Sequence, residues 1–258
     1  MSNFRIISRL DIKGDRVIKG YQMEGFRVVG SPRELSSNYF ENGIDEILIN
    51  DVVASLYGRG QVMDVIRQAS QECFIPITVV GGIKSIRDAT EIFRNGADKI
   101  GINTAALINS TILREISNHF GSQSIVLSIE AKRNQFGIWT TYGNSGRTDF
   151  GKSISGWIQE TLEFGIGEIL ITSVDRDGTN LGFDLDLMDQ IPVDLPVPVL
   201  VSGGISNFKH ISEIASRSYI DGIVIGRSLH DKSLAIPEIK NYAGSLSRSV
   251  RLNYDYKP

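Results

Sequence analysis

The sequence predicts a single (β/α)8 barrel of the TIM type assembled from two similar half-barrels. Three observations carry that expectation. The segment Asn42-Gly-Ile-Asp-Glu-Ile-Leu-Ile-Asn-Asp-Val52 returns as Phe164-Gly-Ile-Gly-Glu-Ile-Leu-Ile-Thr-Ser-Val174, and Pro76-Ile-Thr-Val-Val-Gly-Gly-Ile83 returns as Pro198-Val-Leu-Val-Ser-Gly-Gly-Ile205, each 122 residues downstream. That period is far longer than the ~20 to 50 residues of solenoids and propellers, so it marks two halves of one fold. Short apolar runs, suited to strands buried on both faces, alternate with segments of helical period. Finally, 258 residues match the roughly 250 typical of such a barrel.

Eight strands are expected, at 4–10, 46–49, 77–80, 99–102, 125–129, 168–172, 199–201 and 222–225. Helices at 32–43, 85–95, 109–119 and 153–165 begin on Ser, Asn or Pro and end near Gly, as helix boundaries do. An unbroken alternation favours closure over an open doubly wound sheet, which would not readily explain the repeat. The whole chain reads as one domain, with half-barrels of about 1–122 and 123–258. Segments 13–31 and 132–152 are longer than connectors need to be and occupy matching places in the halves. Such loops at a barrel's catalytic face act as lids.

Composition narrows the function. A formal charge of -3 and a pI near 5.7 give no broad basic field for nucleic acid. The one cysteine, Cys73, rules out an internal disulfide framework and reads as a buried helix-end residue. Met1-Ser-Asn-Phe-Arg5 lacks a signal-peptide core, and no run approaches the ~20 apolar residues of a membrane span. A soluble, cytoplasmic protein is expected.

Catalytic groups in such barrels sit at the C-terminal ends of strands. Strand one ends in Asp11 and strand five in Glu130, equivalent places in the two halves. A lone strand-end carboxylate is commonly a loop cap, but a matched pair suits divided acid and base work. Strands three and seven both end in Gly-Gly-Ile, at 81–83 and 203–205. Glycines there either permit a tight turn or let backbone N–H groups cradle an anion at a helix N-terminus. Their duplication, with Gly82 and Gly204 central and Asn103, Thr104, Arg227 and Ser228 on the neighbouring strands, suggests two phosphate sites and a substrate phosphorylated at both ends. His119, His210 and His230 lie away from strand ends, so neither a histidine triad nor a metal site is expected. No cofactor is called for. At the opposite end, Arg5, Glu46, Lys99 and Glu168 begin strands one, two, four and six. They are either solvated strand-end charges or a ring of ion pairs plugging the barrel axis.

These motifs resemble those of the cyclase subunits of imidazole glycerol phosphate synthase, in the histidine-biosynthesis barrel family. The strings Leu10-Asp-Ile-Lys-Gly14 with Lys19, Val80-Gly-Gly-Ile-Lys84, Gly96-Ala-Asp-Lys-Ile100, Ile102-Asn-Thr-Ala-Ala106, Phe120-Gly-Ser-Gln123, Ala131-Lys-Arg133, Gly167-Glu-Ile-Leu170 and Ser173-Val-Asp-Arg-Asp-Gly-Thr179 carry the likeness over nearly the full chain. The resemblance implies a glutaminase partner on the barrel's bottom face, with ammonia passing a gate of Arg5, Glu46, Lys99 and Glu168. Ammonia would meet a bisphosphorylated ribulosyl-aminoimidazole at the top, with Asp11 as general acid and Glu130 as base. Lys19, Asn103, Thr104, Asp177, Gly178, Ser202, Gly204 and Ser228 would hold the substrate and its phosphates.

The chain departs from that family's pattern at Glu130, where aspartate is usual. One methylene moves the carboxyl group by about a bond length, and displacements of ~1 Å cost on the order of 100-fold in rate. Arg9 stands where a small cysteine is usual, on the same face of strand one as Asp11. An ion pair between Arg9 and Glu130 is expected, lowering the Glu130 pKa and narrowing the ammonia path. Segments 20–27 and 55–59 also differ from the family text. The alternative function is that of paralogues associated with forming amidino groups on surface-polysaccharide sugars. A scaffold that only activates a glutaminase is a third possibility, disfavoured by Asp11 and both glycine motifs.

Overall fold

The computed structural model describes residues 3–52 and 60–252; segment 55–59, singled out above, lies outside them. Eight parallel strands close on themselves: β1 (Arg5–Lys13), β4 (Glu46–Asp51), β5 (Ile77–Val80), β6 (Lys99–Ile102), β7 (Ile125–Arg133), β10 (Glu168–Ser173), β11 (Val199–Ser202) and β12 (Gly222–Ile225). Each pairs with the next in this order, and β12 returns to β1 through Arg5↔Gly222 to Ser8↔Ile225. The expected barrel is therefore present, with its strands within a few residues of the expected bounds.

Segments 13–31 and 132–152 are not open loops. Each folds into an antiparallel hairpin extending its barrel strand: β2 (Arg16–Tyr21) with β3 (Glu24–Gly30), and β8 (Trp139–Gly143) with β9 (Thr148–Ser153). The two halves thus share even this irregular element. Their tips lean together over a cavity of about 430 Å³.

The larger helices cover the outside of the barrel: α1 (Pro32–Glu41), α2 (Gly60–Glu72), α3 (Ile86–Arg94), α5 (Thr111–Phe120), α6 (Ile154–Leu162), α8 (Phe208–Ala215) and α10 (Ile236–Ser245). Short helical turns α4 (Thr104–Ile108), α7 (Leu185–Met188) and α9 (Arg227–His230) follow β6, β10 and β12. Capping obeys the repeat: Ser85 accepts from the Asp88 N–H at 3.2 Å, and Asn207, 122 residues on, from the His210 N–H at 3.0 Å. Such caps satisfy N–H groups that the first helical turn leaves orphaned. Cys73 follows α2, is buried, and has its thiol pushed up to about 11 by desolvation. It is a packing residue, as expected.

Because side chains alternate along a strand, each barrel strand faces the helices with one set and the axis with the other. The helix-facing set forms the main core, including Ile6, Leu10, Ile47, Ile49, Ile169 and Ile171. Inside the barrel, Ile7, Leu48, Val80, Val126, Leu170, Leu200 and Val224 form a separate apolar collar. Inward polar residues lie on either side of that collar, and they define the two functional ends.

Candidate active site and axial ion-pair ring

Below the collar the four charges converge. Arg5 pairs with Glu46 at 3.2 Å and with Glu168, while Lys99 reaches Glu46 at 2.8 Å and Glu168 at 2.6 Å. Thr78 donates to the other Glu46 oxygen at 2.5 Å. Both glutamates are buried. Each cation touches both anions, so these are a closed ring rather than separate solvated charges, and the pairing is what lets the carboxylates tolerate burial.

Above the collar, Asp11 and Glu130 both line a cavity of about 480 Å³ that opens at the C-terminal mouth. Asp11 is 2% exposed and saturated with donors. Arg9 Nε lies at 2.8 Å and Asn50 Nδ2 at 2.7 Å from Oδ1, with Lys19 Nζ at 2.9 Å from Oδ2. Burial alone would raise its pKa, but Arg9 first and Lys19 second hold it well below the usual carboxylate range. Asn50 was not anticipated from sequence; its signal is the repeat, in which Asn50 and Thr172 are equivalent positions.

Glu130 behaves differently. The expected Arg9–Glu130 ion pair is absent: Arg9 turns to Asp11, two residues along its own strand. Burial pushes the Glu130 carboxyl up to about 7, only partly opposed by the Gly146 N–H at 2.7 Å and the charge of Arg9. The expected lowering of its pKa is thus reversed, because desolvation outweighs a cation already committed elsewhere. The result is a pair of carboxyl groups with separated pKa values, Asp11 ionised and Glu130 titrating near neutrality. These electrostatics leave Glu130, not Asp11, as the carboxyl group able to exchange a proton near neutrality.

The two glycine turns share a conformation. Gly81 and Gly82 have φ of 105° and 63°, Gly203 and Gly204 have 122° and 76°, values L side chains rarely adopt. A Cβ would lie 2.3 Å from the Asp51 oxygen at Gly81 and 2.4 Å from the Gly182 oxygen at Gly204, so the turn itself demands glycine. Backbone geometry therefore accounts for these glycines before any ligand is considered. Around the first turn, Gly82, Asn103 and Thr104 line the large cavity. Asn103 donates to the Tyr142 carbonyl at 3.0 Å and leaves its own buried oxygen without a partner; Thr104 accepts from the Asn144 N–H at 2.9 Å.

The second turn is closed. Asp177, Gly178, Ser202, Gly204 and Arg227 surround a cavity of only about 20 Å³, room for about one water. Lys19 bridges Asp11 to Asp177 at 3.0 and 3.2 Å, the Gln22 N–H reaches the Asp177 carbonyl at 2.7 Å, and Arg227 donates to the Gly178 carbonyl. Ser202 and Ser228 are buried and donate to the carbonyls of Val224 and Ile205 at 3.1 and 2.6 Å. His230, which the sequence reading kept off the site, borders it. Its Nδ1 meets Tyr39 Oη at 2.7 Å, its Nε2 is buried beside the Arg9 backbone, and burial, then Lys19, lowers its pKa to about 4. Among the described residues no group of three His, Cys, Asp or Glu side chains could hold a metal, and no helix is long and apolar enough to cross a membrane.

A half-repeat (β/α)8 barrel with paired glycine turns and strand-end carboxylates at one mouth, and an axial ion-pair ring at the other end, defines a narrow class of barrel protein. The chain belongs to the histidine biosynthesis protein family, which matches residues 5–235. It is similar to imidazole glycerol phosphate synthase subunit HisF of Legionella pneumophila, 47% identical over 82% of this chain and 100% of that protein. The subunits of the same name from Bacillus cereus (strain Q1) and Clostridium botulinum (strain Okra / Type B1) are each 40% identical, over 96% of this chain and 98% of theirs.

Proposed function

We propose that this chain is the ammonia-dependent cyclase subunit of an imidazole glycerol phosphate synthase, acting in histidine biosynthesis. It adds nitrogen from ammonia to a bisphosphorylated ribulosyl-aminoimidazole, closes the imidazole ring and cleaves the adduct. The products are imidazole glycerol phosphate and aminoimidazole carboxamide ribotide. The observation that carries this most is the pair of conformationally matched Gly-Gly turns flanking Asp11 and Glu130 at one barrel mouth. A substrate with a phosphate at each end would lie across that mouth, its reacting centre between the carboxyl groups.

In this scheme Asp11, kept ionised, stabilises the positive charge that forms on the incoming nitrogen, and Glu130, close to half-protonated at neutrality, delivers and recovers protons as the ring closes. The first phosphate would take the Gly82, Asn103 and Thr104 side. The second would take the Gly178, Ser202, Gly204, Arg227 and Ser228 side, after the β2–β3 hairpin swings Lys19 away from Asp177. A glutaminase subunit would dock on the bottom face. Its ammonia would enter past Arg5, Glu46, Lys99 and Glu168 and rise through the apolar collar, which offers a neutral molecule no trap.

Calorimetric titration with the bisphosphorylated substrate tests the assignment. One substrate should bind per chain, and inorganic phosphate should weaken that binding. No binding by folded protein would contradict it and direct attention to amidino transfer on a sugar, the activity for which Arg9 and Glu130 would be the distinguishing residues.

A further inference from the structure

Arg9 has no role in the scheme above, yet it occupies the centre of the site. It is 6% exposed and lines both the large cavity and the small one. On β1 it is the next inward residue above Ile7 of the apolar collar and the next below Asp11. An acceptor held by Arg9 would therefore stand where the collar opens into the site.

Its hydrogen bonding is unusual for a buried arginine. Arginine and carboxylate commonly meet fork to fork, but Lys19 holds the Asp11 oxygen that the second arm would need, so Arg9 engages Asp11 through Nε alone. Nη1 and Nη2 make no hydrogen bond to the described residues. Neither is among the fully buried polar atoms lacking a partner, so both reach cavity space. The Nη donors are thus available to a group in the cavity space that Arg9 lines. Charge indicates what they should meet. Arg9 and Lys19 are balanced by Asp11 and Asp177, so the cluster has no surplus cation demanding another anion. A neutral acceptor oxygen fits, especially one that gains negative charge during reaction.

We propose that Arg9 is a catalytic residue of this chain: its Nη groups donate to the ketose carbonyl oxygen of the substrate and hold the negative charge that forms there as ammonia adds. The inference rests on the cyclase reading. The nitrogen lone pair forms the new C–N bond, and the C=O π pair moves onto oxygen, where the guanidinium stabilises it. The alkoxide then takes a proton from Glu130. The surplus proton on nitrogen is recovered by the Glu130 carboxylate once Glu130 has protonated the alkoxide, leaving a neutral carbinolamine, while Asp11 stays ionised beside Arg9 and Lys19. A preorganised donor aimed at a developing oxyanion acts in the transition state more than in the ground state.

Arg9→Ala and Arg9→Lys, assayed with saturating ammonium salt and checked for folding by circular dichroism, test this. Arg9→Ala should lower kcat on the order of 100-fold, the effect of losing one oxyanion donor, while the substrate Kd changes less than about threefold. Millimolar guanidinium should restore part of that kcat but none to Glu130→Gln. Arg9→Lys keeps a cation beside Asp11 without the fork and should retain about a tenth of kcat or less; it decides the matter if the alanine variant does not fold. Undiminished kcat in either folded variant, a loss confined to substrate affinity, or a loss that guanidinium does not relieve would overturn the role. Should the wild-type protein itself fail to turn over the substrate, the cyclase reading falls and this inference with it.

Discussion

Glu130→Gln should lower ammonia-dependent turnover by about 1000-fold, within the range of a positioned general acid–base, and should stabilise the protein at alkaline pH. Both effects come from one group. In the folded protein the Glu130 carboxyl is pushed up to about 7, from an ordinary value of 4.5, by burial. Its proton therefore favours the folded state below that ordinary value, and the advantage is lost as pH rises through about 7. Above that, the wild-type chain buries a charge that glutamine never carries. The variant should match wild type near about pH 5 and be more stable by roughly 2 kcal/mol near about pH 8.5. Thermal melts at both values check this. Kinetics supply a second sign: per unit of free ammonia, the wild-type rate should fall as pH rises through about 7, because the acid form of Glu130 disappears. A variant that is inactive but not stabilised at high pH would mean that glutamine disturbed the Gly146 contact instead.

Glu168→Ala should destabilise the fold by about 3–5 kcal/mol, the range for breaking a buried ion pair from one side. The size of the effect follows from connectivity. Glu168 is buried and serves both Arg5 and Lys99, so its loss leaves two cations sharing Glu46 at the mouth of an apolar collar. Urea unfolding should show the drop as a shifted midpoint with an unchanged slope. Adding Lys99→Met, which removes one stranded cation, should recover a measurable part of it, since contacting residues in one network are not additive. A double-variant loss equal to the sum of the Glu168→Ala and Lys99→Met losses would mean that the ring is not energetically coupled.

The repeat made the architecture readable. Matching strings at 42–52 and 164–174 placed equivalent strands in both halves, and strand bounds followed from apolar runs because parallel barrel strands are buried on both faces. The ring was legible as residue types at strand starts, since strand ends must gather at one face of a closed barrel. Local pairing within the site was not. Arg9 and Asp11 are inward neighbours on one strand, but whether Arg9 would serve Asp11 or Glu130 depended on Lys19, Asn50 and Asp177 arriving from elsewhere in the chain. The hairpins were hidden by glycines, Gly14, Gly20, Gly25 and Gly30 in the first and Gly137, Gly143, Gly146 and Gly151 in the second, which suggest loops. His230 was expected to lie away from the strand ends, but a short helical turn after β12 brings its ring back toward Lys19, a placement that no spacing rule encodes. The closure of the second glycine turn depends on long-range contacts of Gln22, Lys19 and Arg227, so sequence symmetry suggested two open sites where the structure has one open and one covered.

The most direct measurement is turnover of the bisphosphorylated ribulosyl-aminoimidazole by purified protein with concentrated ammonium salt at mildly alkaline pH, following loss of substrate absorbance and formation of both products. Ammonium bypasses the glutaminase and leaves the barrel's own residues as the sole source of catalysis. Stoichiometric imidazole glycerol phosphate and aminoimidazole carboxamide ribotide, with the rate collapsing in Glu130→Gln, is the expected result. A folded wild-type protein that leaves the substrate intact would contradict the cyclase assignment.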